Sequence, residues 1–166
     1  MPRATRPDTV IVDWEPRYGD AFGRLNREWL DKYFRVEPVD EPVLDDPDTH
    51  VLAHGGVILY AVQADRAVGT VALKHQGDGV FELTKMAVTE ACQGQGVGRD
   101  LLRAAIDRFH EIGGSRLYLE SNSRLAPALA LYESAGFAHE TPPEPSDYQR
   151  ADVYMVFRGS SGPGGK

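Results

Sequence analysis

The clearest periodic pattern in the chain runs from Val97 to Ile112. Apolar side chains recur there at every third or fourth position and predict an amphipathic helix with one buried face. The same spacing predicts an earlier helix over 17–34. A third is predicted over 127–135, where Pro127 suits the first turn and Gly136 suits the position just past the end. Three helices of this kind need a sheet or each other to cover their apolar faces.

Short runs rich in Val, Ile, Leu and Tyr predict strands between and around these helices. The second and third form a hairpin that turns near Ala64 and Asp65. The predicted fold class is α/β, with a mixed, mostly antiparallel sheet of six to seven strands and helices on both faces. We expect one domain over 1–158 and a disordered Gly- and Ser-rich tail over 159–166. The predicted strands cover 10–14, 57–63, 66–75, 81–88, 116–120, 137–141 and 152–157.

Length and composition limit the class of protein. A chain of 166 residues with 42% hydrophobic content can bury a sizeable core. Runs of about 18 apolar residues, the length that spans a bilayer, are absent, so no membrane association is expected. The first eight residues lack a signal-peptide core, and the lone Cys92 excludes internal disulfides. Both observations favour the cytoplasm.

Charge argues against nucleic acid as a partner. The formal net charge is −7, whereas nucleic-acid binding needs a basic surface. The acidic excess is concentrated in 37–48, which contains six carboxylates and no Lys or Arg. Two interpretations stay open: a solvated face, or a negative rim that attracts a cationic amine. We expect no metal site, because Gly55 and Gly56 would end any helix carrying both His50 and His54.

The segment 93–99, Gln-Gly-Gln-Gly-Val-Gly-Arg, stands directly before the periodic helix. Glycines at alternate positions leave backbone N–H groups uncovered, and the first N–H groups of a helix have no partner inside it. Together with the positive end of the helix dipole they form a phosphate site. A nucleotide P-loop would need Lys and then Ser or Thr after Gly98, where Arg99 and Asp100 stand. The dinucleotide fingerprint Gly-x-Gly-x-x-Gly also fails.

The spacing Gln-x-x-Gly-x-Gly, read as Gln93, Gly96 and Gly98, resembles the pyrophosphate loop of the GNAT superfamily of acyl-CoA N-acyltransferases. Two flanking motifs agree: the strand Phe81–Val88 resembles the strand of this family that contacts the thioester arm, and 127–137 resembles its Ala…Leu-Tyr-Glu-x-x-Gly-Phe helix. The resemblance implies an acetyl-CoA-dependent N-acetyltransferase. It implies cosubstrate contacts at Met86, Ala87, Val88, Gln93, Gly94, Gln95, Gly96, Val97, Gly98, Arg99 and Asn122.

The resemblance also implies two catalytic residues. Glu82 matches the strand position of the general base, and Tyr132 matches the tyrosine whose hydroxyl reaches the sulfur. Their alternatives are a carboxylate that only pairs within the sheet and a ring that only packs. Asn122 either contacts the pantetheine arm or begins the following helix. A chain that keeps the fold as an acyl-CoA sensor, or as an interaction module, is the alternative function.

The acceptor site of this family is built from the first helices and the late hairpin. The candidate substrate-binding residues are Trp29, Tyr33, Glu37, His75 and Tyr148, with Arg150 nearby in the same segment. Trp29 and Tyr33 share a helical face and either wall a pocket or belong to the core. His75 either touches the acceptor or lies on the surface of the hairpin. We expect a small-molecule amine as acceptor, and a monomer or a homodimer.

Overall fold

A computed structural model describes residues 8–159, so most of the predicted tail lies outside the described residues. Seven strands form one sheet in the order β1-β2-β3-β4-β5-β7-β6. The sheet is antiparallel except between β4 and β5. The strands are β1 Val10–Asp13, β2 Val57–Gln63, β3 Arg66–His75, β4 Val80–Val88, β5 Arg116–Ser121, β6 Phe137–His139 and β7 Val153–Phe157.

The described residues also form five α-helices. They are α1 Ala21–Tyr33, α2 Glu41–Asp45, α3 Pro47–His50, α4 Val97–Glu111 and α5 Ala126–Ala135. Leu101, Leu102 and Phe109 of α4 pack with Leu117 and Leu119 of β5 on one face. A second core on the other face contains α1 and α2 side chains together with alternate residues of β2. The predicted α/β sheet with helices on both faces is confirmed.

No helix of the described residues is long and apolar enough to cross a bilayer. The acidic segment includes α2 and α3, and four of its six carboxylates are exposed, as a solvated face requires: Glu41, Asp45, Asp46 and Asp48. Glu41 and Asp45 both pair with Arg27. Glu37 and Asp40 differ from this interpretation because they are buried, at 6% and 0% exposure.

One extra residue in β4 opens the sheet. Thr70 of β3 pairs with Ala87 of β4, and Ala72 pairs with Thr84. One residue therefore lies between the paired positions on β3, and two residues lie between them on β4. Lys85 lies in this bulge with φ +57, a left-handed conformation that costs a non-glycine residue about 1 to 2 kcal/mol. A bulge bends its strand and increases the local twist. The strand therefore turns away from its parallel neighbour β5 at this point.

The separation of β4 and β5 is visible in their pairing. The last paired residues are Glu82 on β4 and Tyr118 on β5, although β4 continues to Val88 and β5 to Ser121. Beyond this point the facing edges of the two strands do not pair with each other. This gap leads towards the glycine-rich loop at the start of α4 and positions the site.

Candidate active site

A cavity of about 110 Å³ occupies the gap between β4 and β5. Residues 82–86 of β4 form one wall, and residues 119–122, at the end of β5 and directly after it, form a second. Helices α1 and α5 and the segment before β7 close the remaining sides. These elements contribute Asn26, Trp29, Leu30, Phe34, Leu125, Ala128, Tyr132, Tyr148, Arg150 and Ala151.

Glu82 lies where the two strands part and is 7% exposed. Burial raises the pKa of its carboxyl to about 7, and the negative charge of Glu120 adds to this effect. The positive charges of Lys85 and Lys74 oppose the shift, as does a hydrogen bond of 3.3 Å from Gln76 Nε2 to Glu82 Oε1. A carboxyl with this pKa can accept a proton near neutral pH, which a general base must do.

Glu120 is a second carboxylate in the cavity, and it was not predicted from the sequence. It is partly buried and accepts a hydrogen bond of 2.8 Å from Ser146 Oγ. The alternation of apolar and other residues along β5 could have indicated the position of Glu120. Leu117 and Leu119 face the core, so Glu120 shares the opposite face of the strand with Tyr118. Because Tyr118 pairs with Glu82, the two carboxylates lie on the same side of the sheet.

Tyr132 lies on α5 and is one of the residues that line the cavity. Its ring also contacts Phe137, with 6.1 Å between the centroids. Burial raises the pKa of Tyr132 to about 12, so the phenol keeps its proton across the physiological range. The structure thus brings Glu82 and Tyr132 to one cavity, with the packing role of the ring present as well.

The glycine-rich loop has the exposed backbone that a phosphate needs. Gly94 and Gly96 both have φ +84, and α4 begins directly after Gly96. Its first internal hydrogen bond runs from the Asp100 N–H to the Gly96 carbonyl, at 3.0 Å, so the N–H groups of 97–99 have no partner in the helix. A Cβ atom added at Gly94 would have no other atom within 4 Å, so the space beside this part of the loop is open.

The two glutamines of this loop form hydrogen bonds to residues of β4 and β2. Gln93 Nε2 donates to the Val88 carbonyl at 3.1 Å, and Gln95 Oε1 accepts from Gln63 Nε2 at 3.2 Å. Of the other predicted cosubstrate residues, Met86 lines the cavity, Ala87 is buried within β4, and Arg99 is exposed at the start of α4. The loop amides, held in place by these side chains, can bind an anionic group.

Asn122 lines the cavity but does not begin α5, because the N-cap of that helix is Leu125 and carries no side-chain capping bond. Its Oδ1 accepts from the Arg124 N–H at 2.8 Å, ahead of α5, and its Nδ2 donates to the Arg150 carbonyl at 2.6 Å. Both polar ends of the side chain are therefore used within the protein, where they join the end of β5 to the segment before β7. The contact with the pantetheine arm stays a prediction.

The predicted acceptor residues differ in their distance from the cavity. Trp29 and Tyr148 line it. Tyr33 lies in an adjoining groove that contains Gln93, and Glu37 is buried, where it contacts Arg150. The structure does not bring His75 to this site. Its ring stacks on Phe81 at 4.7 Å, and its Nδ1 lies 3.0 Å from the His54 carbonyl oxygen.

A buried ionic network, not predicted from the sequence, forms the wall behind Tyr148. Asp40 accepts from Lys85 Nζ at 3.0 Å and from both terminal nitrogens of Arg150, at 2.8 and 2.9 Å. Arg150 also contacts Glu37, whose carboxylate accepts the Gln149 N–H at 3.0 Å. The network joins the segment after α1, the β4 bulge and the segment before β7.

We predict that Asp40→Asn lowers the free energy of unfolding at neutral pH by roughly 2 kcal/mol. Burial alone would raise the pKa of Asp40, but hydrogen bonds from Arg150 and the Glu37 N–H, with the charge of Lys85, lower it to about 2. A lowered pKa stabilises the fold above the unfolded value near 3.8 and is lost as the pH falls towards 2. Urea unfolding between pH 2 and 7 measures this effect. The variant should show a weaker acid dependence, and an unchanged one would contradict the assignment.

Similarity to known proteins shows the family of this chain. The acetyltransferase (GNAT) family profile matches residues 23–137, which include most of α1, the bulged β4, the glycine loop and α5. The chain belongs to the GNAT acetyltransferase family. Among curated relatives, it is 34% identical over 83 residues to the uncharacterised N-acetyltransferase YjgM of Escherichia coli K12. That match spans only half of each of the two chains, 50% in both cases.

Solved structures show the same fold. A GNAT-family acetyltransferase from Staphylococcus aureus Mu50 superposes with a TM-score of 0.80 at 18% identity, covering 90% of this chain and 98% of the other. The PaiA N-acetyltransferase from Thermoplasma acidophilum, solved in complex with coenzyme A, superposes with a TM-score of 0.70 at 13% identity, covering 90% and 98%. The GNAT acetyltransferase fold, recognised in the sequence by its three motifs, is thus confirmed.

Proposed function

We propose that this GNAT acetyltransferase transfers an acetyl group from acetyl-CoA to a primary amine, by direct attack while both substrates are bound. The observation that carries this proposal is the cavity between β4 and β5. It joins a buried carboxyl whose pKa is about 7 to a phenol that keeps its proton. The bound coenzyme A of the Thermoplasma relative supports the choice of cosubstrate.

Acetyl-CoA supplies an activated acetyl thioester, and the chain offers a place for each of its parts. The exposed amides at the start of α4 fit the diphosphate, and the unpaired edge of β4 fits the amide-bearing arm. An N–H within Met86–Val88 donates to the acetyl carbonyl oxygen, where negative charge develops. These assignments rest on groups that the fold leaves without backbone partners.

The remaining steps remove two protons from the nitrogen of the acceptor. Glu82 takes the first from the ammonium, because only the free amine can attack a carbonyl carbon. The attack forms the bond from nitrogen to the acetyl carbon and leaves two hydrogens on the nitrogen. As the bond from the acetyl carbon to sulfur breaks, Tyr132 gives its proton to the departing sulfur and the nitrogen loses its second proton to solvent. Solvent also receives the proton from Glu82 and restores the one on Tyr132, so the net products are the neutral amide, the free thiol and one released proton. Neither a serine nor a cysteine is needed as a nucleophile.

The test is acetyl-CoA-dependent release of free thiol with a panel of small amines, aminoglycosides and lysine-containing peptides. Transfer to at least one acceptor, with the N-acetyl product identified by mass spectrometry, is the expected result. Binding of acetyl-CoA without transfer to any acceptor would favour a sensor. Absence of binding, measured by thermal shift, would contradict the proposal as a whole.

Tyr132→Phe is expected to lower kcat by about tenfold and to leave the Kd for acetyl-CoA unchanged. The variant keeps the ring that packs on Phe137 and removes only the proton donor. The loss is moderate because a thiol with a pKa near 8.5 leaves readily even without a donor. Steady-state kinetics against acetyl-CoA measures both constants. A tyrosine that only packs would leave kcat at the wild-type value.

A further inference from the structure

Tyr148 is held in one orientation at the wall of the cavity. Its hydroxyl oxygen lies 2.9 Å from Lys85 Nζ, and its ring centroid lies 4.5 Å from the same nitrogen. The guanidinium of Arg150 lies 4.7 Å from that centroid. Two cations therefore fix the ring, and Asp40 in turn fixes both cations. This arrangement leaves the phenol little rotational freedom.

The direction of the bond between Lys85 and Tyr148 follows from the chemistry of the two groups. An ammonium only donates, and Lys85 is paired with the ionised Asp40, so the Tyr148 oxygen must be the acceptor. Burial raises the pKa of Tyr148, so its own proton is retained. Within residues 8–159 no side chain or carbonyl accepts this proton. Since Tyr148 lines the cavity, its O–H is available to a ligand there.

The charge around this donor favours an uncharged partner. The positive charges of Lys85 and Arg150 are balanced by Asp40 and Glu37. The nearby carboxylates Glu82 and Glu120 have no cation within ion-pair distance among the described residues. A ligand carboxylate would meet this unbalanced negative charge, whereas an ammonium next to a neutral oxygen would not be repelled.

We infer that Tyr148, oriented by Lys85, donates a hydrogen bond to an uncharged oxygen of the amine acceptor. The acceptor class is an amine that also carries a neutral amide carbonyl or hydroxyl group, as opposed to a plain alkylamine or a free amino acid. This inference rests on the proposed acetyl transfer and specifies its second substrate. Tyr148 is a specificity-determining residue in this view, and Lys85 positions it.

The test compares four small amines with wild type and Tyr148→Phe. Glycinamide and ethanolamine carry the neutral oxygen as a carbonyl and as a hydroxyl, and glycine carries a charged one. Propargylamine has no oxygen, and its unsaturated carbon makes its ammonium similar in acidity to that of glycinamide, so it is the matched control. The phenylalanine keeps the ring between Lys85 and Arg150 and removes only the hydroxyl.

In wild type we expect kcat/KM for glycinamide or ethanolamine to exceed that for propargylamine by about tenfold, the worth of one buried hydrogen bond. Tyr148→Phe should remove this preference through KM, so that the ratio of kcat/KM for the favoured oxygen probe to that for propargylamine falls to about one. Whichever oxygen probe is favoured tells whether a carbonyl or a hydroxyl is recognised.

Two other outcomes are informative and distinct. Equal transfer to all four amines, or equal loss with every amine in Tyr148→Phe, would overturn the inference and leave the proposed function intact. Absence of transfer to every amine, with acetyl-CoA bound, would overturn the proposed function and the inference with it. Thermal unfolding of Tyr148→Phe shows whether the variant is folded.

Discussion

Glu82→Gln is expected to lower kcat for acetyl transfer by roughly 10²- to 10⁴-fold near pH 7.5, the range found for loss of a general base. Glutamine keeps the size of the side chain and its contact with Gln76 but cannot take a proton. The Kd for acetyl-CoA should stay close to the wild-type value. Steady-state kinetics with a saturating amine measures the effect.

The pH profile gives this prediction a second readout. Because the pKa of Glu82 is raised to about 7, the kcat of wild type should rise with pH through that value and then level off. The glutamine variant should lose this rise. Glu111→Gln, at the exposed end of α4, is the matched control and should behave as wild type. Normal turnover by Glu82→Gln between pH 6 and 9 would contradict the assignment of the base.

The pH dependence of the free energy of unfolding also depends on the pKa of Glu82, and measuring it needs no substrate. A carboxyl with a raised pKa stabilises the fold while it is neutral, so this contribution is present at low pH and is lost as the pH rises through about 7. Glu82→Gln removes the ionisable group. The variant should therefore gain stability relative to wild type between pH 5 and 8, and a difference independent of pH would show that Glu82 ionises as an ordinary carboxyl.

Much of this fold was predictable because local rules decide it. The period of 97–112 fixed the face of α4, and the structure ends this helix at Glu111, one residue earlier. Gly136, with φ +113, ends α5 as its left-handed position requires. The glycine motif and the Tyr132 motif are contiguous in sequence, so their placement needed no knowledge of long-range pairing.

The residues that were missed depend on contacts between distant segments. Asp40 looked like one of several solvated carboxylates, yet its partners Lys85 and Arg150 lie 45 and 110 positions away. The bulge at Lys85 has no glycine to signal it and is visible only in the register of β3 with β4. Of the two interpretations of His75, its contacts with Phe81 and His54 favour the surface of the hairpin. Strand periodicity gives the face of a residue but not its distance from the point where two strands separate.

The second large effect is expected at Gly98, where two substitutions of equal size differ only in charge. A side chain at this position would meet Leu131 Cδ2 at 3.9 Å and Val88 Cγ2 at 4.0 Å, which are ordinary contacts. Both Gly98→Gln and Gly98→Glu should therefore fold. Each should be at least as stable as wild type, since either residue favours a helix by several tenths of a kcal/mol over glycine.

Binding of acetyl-CoA should separate the two variants. The glutamine weakens binding only by its bulk beside the exposed amides of 97–99, whereas the glutamate adds a negative charge where the diphosphate is expected. Repulsion over about 6 Å near the protein surface amounts to about 1 to 3 kcal/mol, or roughly ten- to a hundredfold in Kd. Calorimetry at low and high salt measures it, and the gap should narrow as salt screens the charges. Equal affinities for the two variants would show that no anionic group lies at this helix start, because bulk alone cannot distinguish glutamine from glutamate.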